Sequence, residues 1–292
     1  MTVRANIALV VIAAAASVSS GAAARPLRVM SINACADQYV LALLPPSQIT
    51  SVSWLARDPS GSIMAPAAMR TPVNHGSVEE VLAQHPDLVI AGAYTTPATR
   101  LLLKRLRLPL LELQGSETFD DVRRETRTVA AALGAQARGE AMIARMDAIL
   151  RALEAERPAK PPRVVAWDGG GFTAQPNSMY DLLLRTAGAR NVGAGAVGRP
   201  SGAPGIETLL ATAPDLLVEG QPSAEPQGLR SDVLNSPIVR RFWGDRTVVL
   251  PTAYYACATP FSADGAKLLH DELQAAAARA RRPLPFSAGD SR

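Results

Sequence analysis

Residues 77–92, SVEEVLAQHPDLVIAG, return 128 positions later as GIETLLATAPDLLVEG, residues 205–220, and seven of the sixteen aligned positions are identical. The identities are Glu79/Glu207, Leu82/Leu210, Ala83/Ala211, Pro86/Pro214, Asp87/Asp215, Leu88/Leu216 and Gly92/Gly220. Self-similarity at a fixed offset marks a repeated structural unit. Two copies so far apart predict two kindred lobes rather than a solenoid. Each copy reads as a short helix followed by a buried strand. Val78, Val81 and Leu82 share one helical face, His85-Pro86 stops the helix, and DLVIAG is a brief apolar run closed by Gly92. The second copy repeats this with Ile206, Leu209, Leu210, Pro214 and DLLVEG. Apolar strands alternating with helices predict α/β lobes whose mainly parallel sheets are covered on both faces. Asp87 and Asp215, each after a proline, are expected to form turns.

The rest of the chain fits two such halves. RVMSI (28–32), ITSVS (49–53) and PLLEL (109–113) read as strands of the first, with helices over ADQYVLALL and TRLLLKRLRL. RVVAW (163–167) and TVVLP (247–251) are strands of the second, with helices over 178–188 and 262–280. Between the halves, from Arg138 to Arg157, Met142, Ile143, Met146, Ile149, Leu150 and Leu153 recur at helical spacing. This helix spans about 30 Å, is stopped by RPAKPPR, and reads as a rigid strut. The expected division is an N-terminal lobe over 25–134, a connecting helix over 135–160 and a C-terminal lobe over 161–278.

Both ends are set apart. Arg4, the apolar run from Ile7 to Val18, and Ala22 and Ala24 ahead of Arg25 read as a cleaved signal peptide over 1–24. The run is shorter than the roughly 20 residues that cross a bilayer, and no cysteine near the cut offers a lipid anchor. The mature chain is therefore expected to be soluble, monomeric and exported, most simply to a bacterial periplasm. The formal net charge is +4; Arg4 leaves with the leader, and the tail over 279–292, with four Arg and one Asp, accounts for the rest. That tail reads as basic and disordered, the folded body is near neutral, and a nucleic-acid surface is not supported.

Taken together, the paired E-x-x-L-A-x-x-P-D-L signatures, the two α/β halves and the strut resemble the periplasmic binding proteins that serve ABC importers of vitamin B12 and ferric siderophores. The resemblance covers nearly the whole mature chain. It implies two Rossmann-like lobes joined by one helix, with ligand held in the cleft between them. It also implies that a surface glutamate from each lobe, here Glu79 and Glu207, docks onto arginines of a dimeric permease driven by a cytoplasmic ATPase. Charge-assisted pairs at matched places on two lobes suit a two-fold partner.

Ligands of open α/β sheets lie beyond the carboxyl ends of the strands. The loops expected there hold Trp54, Arg57, His75 and Tyr94 in the first half and Trp167, Phe172, Tyr254 and Tyr255 in the second. Aromatic residues are only 4% of the chain, so their concentration in these loops suits a bulky organic metal chelate. Each is also suited to plugging a lobe core, and Arg57 to pairing with Asp58. Trp243, beside Phe242, reads as packing. Cys35 and Cys257 each follow a strand end, one per lobe; a disulfide, two separate thiols, and soft ligands to a metal in the bound species all stay open. The GGGF run is not a phosphate loop.

Rival readings are weaker. A secreted enzyme would have to use His75 with Asp58 or Cys35; His85 precedes a proline, His270 is expected to be solvated, and no hydrolase or metalloprotease motif occurs. A free-metal receptor needs three or four His and carboxylate ligands. A haem receptor stays open through Tyr94, Tyr254, Tyr255 or His75. No intrinsic cofactor or directly bound metal is expected.

Overall fold

The computed structural model describes residues 27–167, 174–193, 206–220, 236–280 and 284–285. The expected leader over 1–24, Phe172 and most of the tail over 279–292 lie outside them. The first lobe runs β1 (Val29–Ser31), α1 (Ala34–Leu43), β2 (Ile49–Ser53), α2 (Ala65–Ala68), β3 (Val73–Asn74), α3 (Val78–Gln84), β4 (Leu88–Ala91), α4 (Pro97–Arg105) and β5 (Leu110–Glu112). Two helices follow, α5 (Phe119–Ala132) and α6 (Gln136–Ala155). The second lobe runs β6 (Arg163–Trp167), α7 (Met179–Thr186), β7 (Arg190–Asn191), α8 (Ile206–Thr212), β8 (Leu216–Gly220), α9 (Pro237–Trp243), β9 (Thr247–Leu250) and α10 (Ser262–Arg279).

All strand pairs are parallel, in the orders β3-β2-β1-β4-β5 and β7-β6-β8-β9. The repeat supplies α3–β4 and α8–β8, and the two strands hold the same place: Leu88 pairs with Val29, and Leu216 with Val164. Helices cover both faces, as the continuous apolar strands require. In the first sheet Val29 and Ile90 pack toward Val40 and Leu43, while Met30, Val89 and Ala91 pack toward Val78, Val81 and Leu103. In the second, Val164, Ala166, Leu216 and Val218 meet Leu183 and Leu269, while Val165 and Leu217 meet Leu209 and Trp243. Burying each such side chain contributes about 1.5–3 kcal/mol. One repeated position breaks the pattern. Leu82 and Leu210, expected on the buried face, are 42% and 37% exposed.

The repeated Pro-Asp has a different job from turn formation. His85 and Ala213 end their helices in the left-handed region, at φ 46° and 40°, which reverses the chain in one step. Asp87 then accepts a hydrogen bond from the Arg28 backbone N–H at 2.8 Å and its own N–H donates to the Arg28 carbonyl at 2.8 Å. Asp215 makes the same two bonds with Arg163, both 2.8 Å. The arginine side chains also match, donating to the Gln84 and Thr212 carbonyls that close the helices. Each aspartate thus fastens the start of one central strand to the next.

The strut α6 is held from both sides. An added Cβ on Gly139 would stand 2.5 Å from the Ala130 Cβ, so glycine is what lets α6 approach α5 this closely. Arg123 of α5 donates to Asp147 of α6 at 2.9 Å. Toward the second lobe α6 packs on α7 and α10, and Arg145 makes a bidentate pair with Asp264. His270, expected in solvent, is buried: its ring Nδ1 lies 3.0 Å from the Ala187 carbonyl, because α10 lies against α7 rather than on the surface.

Beneath α1 lies a buried carboxylate. Asp37 is fully inaccessible and accepts from the Ser53 backbone N–H at 3.0 Å and from the Ser53 hydroxyl. Burial outweighs the hydrogen bonds from Ser31 and Ser53 and raises its pKa from 3.8 to about 7. A carboxyl that holds its proton more tightly when folded makes the folded state lose stability as pH rises from about 4 through 7. A three-unit rise corresponds to a total on the order of 4 kcal/mol. Asp37→Asn, which can still accept at one oxygen and donate to the Ser53 hydroxyl, is expected to flatten that loss. Urea unfolding of both proteins at pH 5 and pH 8.5 measures it; parallel losses would show that Asp37 does not carry the slope.

Candidate ligand-binding cleft

The carboxyl edges of the two sheets meet across a cleft of about 380 Å³. Its first wall begins at Asn33, the N-cap of α1, whose Oδ1 accepts from the N–H groups of Cys35 and Ala36 at 3.0 and 3.3 Å. Gly92, closing β4, is obligatory here, since a Cβ would stand 2.5 Å from that same oxygen. Tyr94 follows on the wall and is 84% exposed. Glu125 reaches the cleft from α5, its carboxylate accepting from the Gln114 and Gly115 N–H groups, each at 3.2 Å. Burial, with Asp121 nearby, holds the Glu125 carboxyl above its ordinary pKa despite those bonds.

The second wall comes from the start of α7, with Gln175, Ser178, Met179 and Tyr180, and from the segment after β9, with Thr252, Tyr255 and Ala256. The Tyr180 and Tyr255 rings stack with centroids 4.1 Å apart and planes 7° from parallel. The Tyr255 hydroxyl lies 3.1 Å from Thr252 Oγ1. The pair stands on the second wall, across from a first wall of small side chains with Asn33, Tyr94, Leu113 and Glu125. Glu125 is the only charged side chain among the described residues that line the cleft. Cys35 and Cys257 are joined as a disulfide, with Cα atoms 5.0 Å apart, and so connect the two walls.

A periplasmic binding protein family model matches residues 29–242. The chain belongs to that family. A cobalamin-binding protein of Halobacterium salinarum is 28% identical over 205 residues, covering 67% of this chain and 54% of that protein. The chain therefore spans about half the length of that relative. Among solved structures, the periplasmic heme-binding protein RhuT from Roseiflexus sp. RS-1 in apo form is 23% identical with a TM-score of 0.69, over 88% of this chain and all of that one. The periplasmic vitamin B12 binding protein BtuF of Vibrio cholerae is 18% identical with a TM-score of 0.65, over 85% of this chain and 97% of that one. At these identities the structures speak to the fold.

In this periplasmic binding protein, two of the aromatics singled out in the sequence, Tyr94 and Tyr255, line the cleft. Trp54, Arg57, His75 and Tyr254 are not among the lining residues. Trp54 stands 53% exposed on a 3₁₀ turn with Arg57, whose guanidinium donates to the Ala68 and Thr71 carbonyls at 3.2 and 2.9 Å. His75 is exposed, with Nδ1 3.2 Å from Glu80. Tyr254 packs against the second-lobe core, its Cβ pressed on Gly265 of α10. Trp167 is the last residue of β6, and Phe172 lies outside the described residues. Asn33 and Tyr180 stand in the loops expected at the cleft, 33–38 and 167–180, though neither is singled out by its sequence; Glu125 stands outside those loops. Asn33 carried a readable signal, an N-cap type just before a helix; Glu125 carried none.

Glu79 and Glu207 are both exposed, in the first turns of α3 and α8. The capping duty at α3 falls to the neighbouring Glu80, which accepts from the Ser77 and His75 N–H groups at 3.2 and 2.9 Å. That leaves Glu79 facing water. Each helix runs back along the strand it feeds, so both first turns stand at the carboxyl edges of their sheets, the edges that also form the cleft.

Proposed function

We propose that this protein captures a bulky metal chelate of the corrinoid class in its interlobe cleft and hands it, chemically unchanged, to a dimeric ABC permease. It works in the periplasm as a monomer after removal of residues 1–24, and docking runs through Glu79 and Glu207. The observation that carries the reading is the cleft itself, where the stacked Tyr180–Tyr255 pair and the Gln175 amide stand on one wall and the Asn33 amide on the other. A large, flat, amide-fringed chelate finds there apolar contact over its face and hydrogen bonds at its edge. Glu125, the one carboxylate among the described lining residues, favours a neutral or cationic ligand over an anionic one. The cobalamin-binding name of the halobacterial relative points the same way. Capture without catalysis accords with His75 being bonded to Glu80 outside the cleft lining. Among the described residues no cluster of three or more His, Cys, Asp or Glu side chains is placed to hold a bare metal ion.

Haem is the second reading, favoured by the exposed Tyr94 phenol on the cleft wall, a competent ligand for ferric iron. Titrating the purified protein with cyanocobalamin, haemin and a ferric hydroxamate siderophore, followed by absorption and intrinsic fluorescence, separates the readings. Saturable binding of cyanocobalamin with a micromolar or lower Kd is expected, with haemin at least tenfold weaker. A haemin complex whose Soret band shifts and is lost in Tyr94→Phe would move the assignment to haem. Failure of all three ligands would overturn the chelate reading.

A further inference from the structure

The disulfide occupies a particular place. Cys35 lies in the first turn of α1, two residues after the Asn33 cap, and is a partly buried residue of the cleft lining. Cys257 is buried, 3% exposed, in the segment that follows β9. That segment supplies the second wall, Thr252, Tyr255 and Ala256, and through Tyr255 it holds one half of the aromatic platform. A second strap joins the same segment to the first lobe: the Ala253 N–H donates to the Ser60 carbonyl at 3.1 Å. Across 222 residues of sequence, then, the wall bearing the platform is bonded covalently to the wall bearing Asn33. The strut α6 fixes the lobes through their flanking helices, whereas this bond fixes them at the site.

We infer that the Cys35–Cys257 disulfide is a positioning clasp that sets the aperture of the cleft, and that a dithiol reductant opens it. In the reaction, a reductant thiolate attacks the accessible Cys35 sulfur, breaks the S–S bond and expels Cys257 as thiolate, which takes up a proton. The second reductant thiol resolves the mixed disulfide, leaving two cysteine thiols and the reductant oxidised to its own disulfide, a balanced two-electron exchange. Because Cys35 lines the cleft, a bound ligand shields its sulfur. Ligand in the cleft therefore slows the attack, and reduction, by releasing the walls, speeds the ligand's departure.

The effect on ligand affinity rests on the proposed chelate binding; the effect on the walls does not. Two readouts keep them apart, each applied to the full chain as oxidised protein, as protein reduced with dithiothreitol, and as the Cys35→Ser/Cys257→Ser variant. Amide hydrogen exchange on ligand-free protein is expected to quicken at least tenfold in residues 252–258 and in the first turn of α1 on reduction, with β1 and β8 unchanged. Dissociation of cyanocobalamin is expected to quicken at least tenfold, and saturating cyanocobalamin to slow reduction by a similar factor. Unchanged exchange at both walls, in reduced protein and variant alike, would overturn the clasp whatever the ligand is. If cyanocobalamin binds none of the three forms, the corrinoid reading falls and the exchange measurement decides the clasp alone. Reduced wild-type protein covers the case in which the double variant does not fold.

Discussion

Reversing the charge of both repeated glutamates, Glu79→Lys with Glu207→Lys, is expected to abolish delivery of ligand to the permease while leaving ligand affinity unchanged. Both carboxylates are exposed, both head equivalent helices, and neither has a hydrogen-bond or ion-pair partner among the described residues. The protein therefore presents two acidic groups at matched positions, each in the first turn of its helix. A partner with two-fold symmetry and a basic group on each subunit meets both at once. Losing a close charge pair at such an interface costs about 2 kcal/mol or more per site, so two sites weaken docking roughly a thousandfold. Each single reversal is expected to give an intermediate loss. The leucines one turn on, Leu82 and Leu210, stay exposed in the variant, so the change tests charge and not apolar contact. Neither glutamate lines the cleft, which is why affinity should hold. Uptake by cells expressing the variant, measured beside equilibrium binding by the purified protein, provides the check. Persistent uptake would remove these residues from docking, and affinity falling in parallel would place them in the ligand site.

The repeat was legible because it is local and written twice. Helix, break, strand and terminal glycine follow one another within sixteen residues, and apolar periodicity with Pro and Gly punctuation suffices to read them. The strands ITSVS and RVVAW were bounded correctly for the same reason. What the repeat does in three dimensions was less legible. Asp87 looks like a turn residue in sequence, since its partner, the Arg28 backbone, lies 59 positions away and carries no side-chain signature. The helix α5 carries a capping box of Thr118 and Asp121 at its start, but no strand follows it to complete a helix–strand alternation, so neither the helix nor Glu125 on it stands out in the sequence. At the cleft, aromatic residues in loops were a fair guide to the neighbourhood and a poor one to the wall. Tyr254 and Tyr255 are adjacent, yet one packs on Gly265 and the other stacks on Tyr180. Backbone direction within a 3₁₀ turn decides between them, and composition does not report it.

Trp243→Ala is expected to be the most damaging single truncation in the second lobe, lowering stability by about 3–5 kcal/mol. The side chain is fully buried against Val165, Leu209, Leu217 and Val239, on the sheet face away from α6, α7 and α10. Its indole N–H also donates to the Pro214 carbonyl at 2.9 Å, tying α9 to the proline of the repeat. Truncation removes the largest side chain of that layer and leaves the buried carbonyl without this donor, so two separate penalties combine. Trp243→Phe keeps most of the volume and loses only the hydrogen bond, and is expected to cost about 1 kcal/mol. In the first lobe the corresponding helix α4 fills its layer with Leu103, whose truncation leaves a smaller cavity and no orphaned acceptor. Urea unfolding monitored by circular dichroism compares the three variants, with a lower midpoint at unchanged slope expected for Trp243→Ala. A loss near 1 kcal/mol for the alanine variant would mean that the layer collapses around the missing ring, and that α9 is held by its backbone rather than by this side chain.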